Sequence, residues 1–114
     1  MTSKDNTTGG ALLPHQVADA LQAIACAALS KCRRREWKRD WANGGVYLHL
    51  EVSEFIEALR GKRTKTQAQL DAMAANEPES EAADVLFVLL STIAQSGLSM
   101  QRIVSRLLVL VNER

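Results

Sequence analysis

Two pairs of carboxylates, Glu51/Glu54 and Glu81/Asp84, interrupt segments that are otherwise built to be buried. Each pair is spaced three residues apart, so on a helix both side chains project to the same side, one turn from each other. Two such helices laid antiparallel bring four acidic groups to one spot. Unpaired buried carboxylates are costly, so the cluster demands cations, and an all-oxygen ligand set favours Mg²⁺ or Mn²⁺. The alternative reading is that Glu51, Glu54, Glu81 and Asp84 are solvated residues at the edges of amphipathic helices.

The remaining sequence agrees with helices. Gly and Pro number only six and two among 114 residues, while Ala and Leu dominate. Residues 1–10 hold nothing to bury and read as a flexible tail, leaving residues 11–114 as one domain. Pro14 suits a helix first turn, and Val17, Leu21, Ile24 and Ala28 form a stripe predicting a helix to about Lys31. Residues 32–42 are polar and basic, and Asn43-Gly44-Gly45 reads as a break before a second helix over Val46–Arg60, closed by Gly61. Its expected apolar stripe is Leu48, Val52, Phe55, Ile56 and Leu59, with Glu51 and Glu54 along one edge and His49, Ser53, Glu57 and Arg60 facing away. Thr66–Asn76 could form a short helix. Glu77-Pro78 opens a third helix, ending near Ser96 before Gly97, and Ser99 caps a fourth over Met100–Asn112.

The third helix is apolar nearly all round, apart from a strip of Glu81, Asp84, Ser91 and Gln95. The fourth is apolar on more than one side. Such helices need cover on most faces, which predicts an all-α, four-helix-type bundle completed by homo-oligomerisation, as a dimer or a dimer of dimers. The net charge of +1 gives no general pull toward a nucleic-acid polymer or an acidic membrane. No apolar run approaches the ~20 residues of a membrane span, and the polar start does not resemble a signal peptide, so a cytoplasmic protein is expected. Cys26 and Cys32, six apart on one helix, face different ways and read as free thiols. Neither they nor His49 carry a motif.

A di-iron bundle competes for the acidic pattern, but it also needs Glu-x-x-His pairs. Neither His15 nor His49 lies three residues after a Glu. Taken together, residues 49–62 (HLEVSEFIEALRGK) and 79–100 (ESEAADVLFVLLSTIAQSGLSM) resemble the MazG-like family of all-α nucleoside triphosphate pyrophosphohydrolases. The family hallmark is E-x-x-E on one helix and E-x-x-D on the next, met here by Glu51/Glu54 and Glu81/Asp84. The resemblance covers about residues 32–105, and the first helix is similar only in character.

The resemblance implies Mg²⁺-dependent hydrolysis of a (deoxy)nucleoside triphosphate to monophosphate and pyrophosphate, as nucleotide-pool housekeeping. Glu51, Glu54, Glu81 and Asp84 would hold the metal, with Glu51 or Glu54 as the base that activates water. It also implies that an aromatic upstream of the E-x-x-E helix stacks on the nucleobase, here Trp37 or Trp41, although a Trp pair at helical spacing also suits packing. Arg33, Arg34, Arg35, Lys38 and Arg39 read as a solvated basic face. Lys62, Arg63 and Lys65, in the loop expected after the first acidic helix, could reach the phosphates. The pattern departs from the family on the last helix, where a triphosphate-contacting lysine is replaced by Leu108; Asn112 and Arg114 echo its end, and Arg102 and Arg106 could substitute. A phosphoribosyl-ATP pyrophosphohydrolase or a non-catalytic helical interaction module are the alternative readings.

Overall fold

The computed structural model of the chain describes residues 13–64, 66, 68 and 77–113, with the side chains of residues 62–64 outside that description. Four helices and no strand are found among the described residues: α1 (Pro14–Arg34), α2 (Trp41–Thr64), α3 (Glu77–Ser96) and α4 (Met100–Asn112). The expected tail over residues 1–10 lies outside the described residues, as does most of the expected short helix over Thr66–Asn76.

Local chemistry sets the boundaries. Pro14 occupies the first turn of α1, and the Gln16 side chain accepts the Leu13 backbone N–H at 2.9 Å, satisfying a donor the helix leaves free. Gly97 takes φ +70° after α3, a conformation only glycine adopts without strain. The Ser99 hydroxyl accepts from the Arg102 N–H at 3.2 Å and starts α4.

Two glycine signals read from the sequence are overturned. Asn43-Gly44-Gly45 does not break the chain, because α2 has already begun at Trp41. Asp40 caps it, its Oδ1 accepting from the N–H groups of Ala42 and Asn43 at 3.2 and 3.1 Å. Those bonds, led by the one from the Asn43 backbone, hold the Asp40 carboxyl below the usual carboxylate range. Gly61 does not end α2 either; the helix continues to Thr64, since positive φ among the described residues occurs only at Glu36 and Gly97.

Gly44 is instead a point of close approach. A Cβ there would collide with the Thr92 side chain, including its Cβ at 3.1 Å, so rotating Thr92 cannot make room. At Gly45 a Cβ meets nothing within 4 Å. The pair makes an internal control. Gly45→Ala should stabilise by up to ~1 kcal/mol through helix propensity. Gly44→Ala should destabilise by about 1–2 kcal/mol, as overpacking outweighs the same gain. Opposite shifts of the urea midpoint check this; equal shifts would deny the close contact.

α3 is the central element, packed on one side by α2 and on another by α1, while α4 packs against α1. Gly44 beside Thr92, and Ala58 and Gly61 sharing a hollow with Glu77, show α2 and α3 running antiparallel. One core joins Ala18 and Ala25 of α1 to Leu90, Met100 and Val104, with Leu21, Ile93 and Ile103 packed against it. The most deeply buried positions of α1 in this core are therefore the alanines Ala18 and Ala25, and the expected stripe member Ile24 is exposed. Close approach of α1 favours alanine over the larger side chain one residue away. Cys32 is buried, Cys26 is exposed, and both are free thiols.

The side of α2 turned to α3 is Gly44, Leu48, Glu51, Phe55 and Ala58, whereas Val52, Ile56 and Leu59 are exposed. The expected stripe is thus rotated, and Glu51 lies within the seam rather than at its edge. His49, Ser53, Glu57 and Arg60 are exposed, although Ser53 and Glu57 border a hollow shared with Glu77 and Glu81 of α3. Leu86 and Leu89 of α3 and Leu107 to Val111 of α4 remain exposed, the last at 70%. No described helix is long and apolar enough to cross a membrane.

Candidate metal centre and adjoining cleft

The antiparallel pairing of α2 and α3 brings Glu51 opposite Glu81 and Asp84. One carboxylate oxygen from each of the three lies within 4.8 Å of the others. Glu51 and Glu81 are half-buried and Asp84 is exposed. Oε2 of Glu51 and Oε2 of Glu81 are sealed from solvent and have no hydrogen-bond partner. A buried acceptor without a donor is a rare and costly arrangement, and a cation among these oxygens removes the cost. The donor set therefore fits a hard divalent ion, whose oxygen ligands must converge in this way.

Electrostatics agree. Burial pushes the Glu51 carboxyl above its ordinary range, helped by repulsion from Glu54 and Asp84, a hydrogen bond shared with Glu54, and repulsion from Glu81. The Glu81 carboxyl is raised by desolvation first, then by Glu54, Asp84 and Glu77. Glu54 is the expected ligand that does not join the three-residue cluster. It is exposed and borders a neighbouring hollow of about 400 Å³ with Glu57, Glu77 and Glu81, one turn along α2.

Beside the acids opens a cleft of about 320 Å³, lined by Trp37, Arg39, Tyr47, Glu51, Asp84, Phe87 and Val88. The segment between α1 and α2, read from sequence as a solvated basic stretch, builds its far wall. After Arg34 the chain closes in a Schellman turn: Trp37 N–H bonds to the Cys32 carbonyl at 2.8 Å and Glu36 N–H to the Arg33 carbonyl at 3.2 Å. Glu36 supplies the left-handed residue of that turn, at φ 58°, where glycine is usual. The turn delivers Trp37 edge-on to Phe87, with ring centroids 6.5 Å apart and planes at 81°.

The two tryptophans thus separate. Trp37 lines the cleft, whereas Trp41 begins α2, is 83% exposed and does not line it. Arg33, Arg34, Arg35 and Lys38 are exposed, as a solvated face requires, but Arg39 is buried, and it and Tyr47 are cleft residues that periodicity did not flag. The nearest sequence signal was Asp40, whose capping role fixes where α2 starts and so which way Arg39 enters. The side chains of Lys62 and Arg63, and all of Lys65, lie outside the described residues. Arg102 and Arg106 are exposed on α4, and Arg106 approaches Glu113 at 3.9 Å.

No protein-family model matches the chain, and no curated protein or solved structure matches it either.

Proposed function

We propose that this chain is a divalent-cation-dependent nucleoside triphosphate pyrophosphohydrolase of the MazG-like type. The observation that carries the reading is the meeting of Glu51, Glu81 and Asp84 oxygens within 4.8 Å, two of those residues presenting sealed, unpartnered oxygens, at the mouth of an aromatic cleft. Such an ion, Mg²⁺ or Mn²⁺, supplies charge neutralisation for a triphosphate and lowers the pKa of a bound water. Glu51, Glu81 and Asp84 hold it. Glu54 stands outside that trio, one turn from Glu51 and close enough for its charge to raise the Glu51 carboxyl, which leaves it as the acid to accept the proton of the attacking water. Trp37 offers its face or edge to the base, and the cleft falls at the small end of ligand-site volumes.

The test is a panel of ribo- and deoxynucleoside triphosphates incubated with the purified chain, with and without Mg²⁺. Cation-dependent release of pyrophosphate and the matching monophosphate is the expected result. Release of orthophosphate, or no hydrolysis of any of them, overturns the reading.

A homodimer or dimer of dimers belongs to the same proposal. It rests on the exposed apolar residues of α3 and α4, among them Leu86, Leu89, Leu107, Leu110 and Val111. Sedimentation at micromolar concentration should show a dimer or larger species. Leu107→Glu with Leu110→Glu, both at exposed positions in the single chain, should shift it to monomer without unfolding it. A monomeric parent chain would remove the assembly from the proposal.

A further inference from the structure

Arg39 is only 7% exposed, yet among the described residues no carboxylate forms an ion pair with it. Its Nε donates to the Ser91 hydroxyl at 3.0 Å and its Nη1 to the Lys38 carbonyl at 3.0 Å. The guanidinium carbon sits 5.2 Å from the Tyr47 ring centroid and 6.0 Å from that of Phe87. A guanidinium carries five N–H donors, and these bonds use two of them. Nη2 makes no hydrogen bond and is not among the sealed polar atoms, and Arg39 lines the cleft.

Ser91 explains the orientation. It is fully buried on α3, and its hydroxyl proton points to the carbonyls of Phe87 or Val88, at 2.8 and 3.1 Å, leaving its lone pair to receive Arg39. The fork is thereby held beside the Tyr47 and Phe87 rings, in a cleft that Glu51 and Asp84 also line. Desolvating a fixed cation without a counter-charge is costly, and the cost is offset when a ligand brings acceptors to the free donors. Acceptors arriving beside aromatic rings suit a flat heterocycle, which can stack while it bonds. An ion held by Glu51, Glu81 and Asp84 would place the phosphates at the acidic end.

We infer that Arg39, oriented by Ser91, selects the nucleobase, and that it does so for bases presenting two adjacent acceptors on one edge. This inference rests on the triphosphate reading above. A planar fork makes paired bonds to O6 and N7 of guanine, and by the same geometry to O2 and N3 of cytosine. Adenine sets its amino donor beside N1 and N7, and its remaining ring acceptor, N3, has no acceptor next to it. Uracil and thymine separate their two carbonyls by an N–H donor. Arg39 is a specificity residue and Ser91 a positioning residue.

The experiment measures kcat/KM with Mg²⁺ for the four deoxynucleoside triphosphates, and for 7-deaza-dGTP and 3-deaza-dCTP, which each lack one acceptor nitrogen. The wild-type chain should prefer dGTP or dCTP over dATP and dTTP by roughly 10–100-fold, and the matching deaza analogue should lose most of that advantage. Arg39→Lys, which keeps the charge and removes the fork, should narrow the ratio toward one, and Ser91→Ala should narrow it partway. Equal use of all four substrates by the wild type, or a deaza analogue as good as its parent, overturns the inference while leaving the hydrolase reading intact. So does a loss in Arg39→Lys that is uniform across the four, which places the guanidinium on phosphate. Absence of hydrolysis for any triphosphate overturns both.

Discussion

Glu51→Gln and Asp84→Asn are each expected to lower kcat/KM for triphosphate hydrolysis by about a thousandfold or more, roughly 4 kcal/mol of transition-state stabilisation. The substitutions are nearly isosteric, so the fold should survive and the loss belongs to the chemistry. Glu51 lies in the α2–α3 seam and contributes to the only three-carboxylate cluster found among the described residues. Glu54→Gln separates the two roles proposed for acids. If Glu54 takes the proton, its amide variant should bind the divalent ion as the parent does and yet turn over slowly. Trp37→Ala should behave differently again, raising KM by the roughly 1–3 kcal/mol of a stacked base while sparing kcat. Trp41→Ala, at an exposed position away from the cleft, should change neither. Full activity in Glu51→Gln would remove the acidic trio from the mechanism.

What could be read from the sequence was whatever is encoded locally. Pro14, Glu77-Pro78, Gly97 and Ser99 act within one turn of their own position, and the helix ends they signal are where the structure has them. The convergence of Glu51 with Glu81 and Asp84 also followed from spacing, since two helices need only pair antiparallel to produce it. What could not be read depends on how closely helices approach. Gly44 looks like a breaker by propensity, but it is where α2 touches Thr92, and Asp40 has already satisfied the helix start. Ile24 outranks Ala25 in hydrophobicity, yet a tight α1 seam buries the alanine. Arg39 sits in a run of exposed basic residues, and its burial comes from a turn closed by Glu36 at positive φ, which no apolar period reveals.

The metal-free chain is expected to be less stable at neutral pH than in mild acid, and a divalent ion should reverse that order. Burial first, and then mutual repulsion, raise the carboxyls of Glu51 and Glu81 above their ordinary values. Between the ordinary and the raised value the folded chain holds more protons than the unfolded one, so stability falls as pH rises through that window. Below the ordinary carboxylate range, about 4.3 for Glu, this penalty is absent, although other carboxylates then begin to lose their own native interactions. Asp40 works the other way: its lowered carboxyl contributes stability above the ordinary value of Asp and loses it as pH falls through the depressed one. The metal-free chain should therefore pass through a stability maximum on the acidic side of neutrality. Mg²⁺ or Mn²⁺ at a hundredfold excess over Kd adds about 2.7 kcal/mol, a Tm rise on the order of 10 °C for a domain of this size, and more at pH 7 than at pH 5 because protons compete for the ligands. Glu51→Gln should raise the Tm of the metal-free chain at pH 7, since it removes one of the repelling charges, and should abolish most of the metal-induced rise. Thermal melts of both chains across pH 4.5–8, with EDTA or with the ion, read all of this at once. A parent chain whose Tm ignores Mg²⁺ and Mn²⁺ alike, and whose Glu51→Gln variant melts lower without metal, would mean that the buried oxygens are satisfied within the protein and that the acids support the fold rather than a cation.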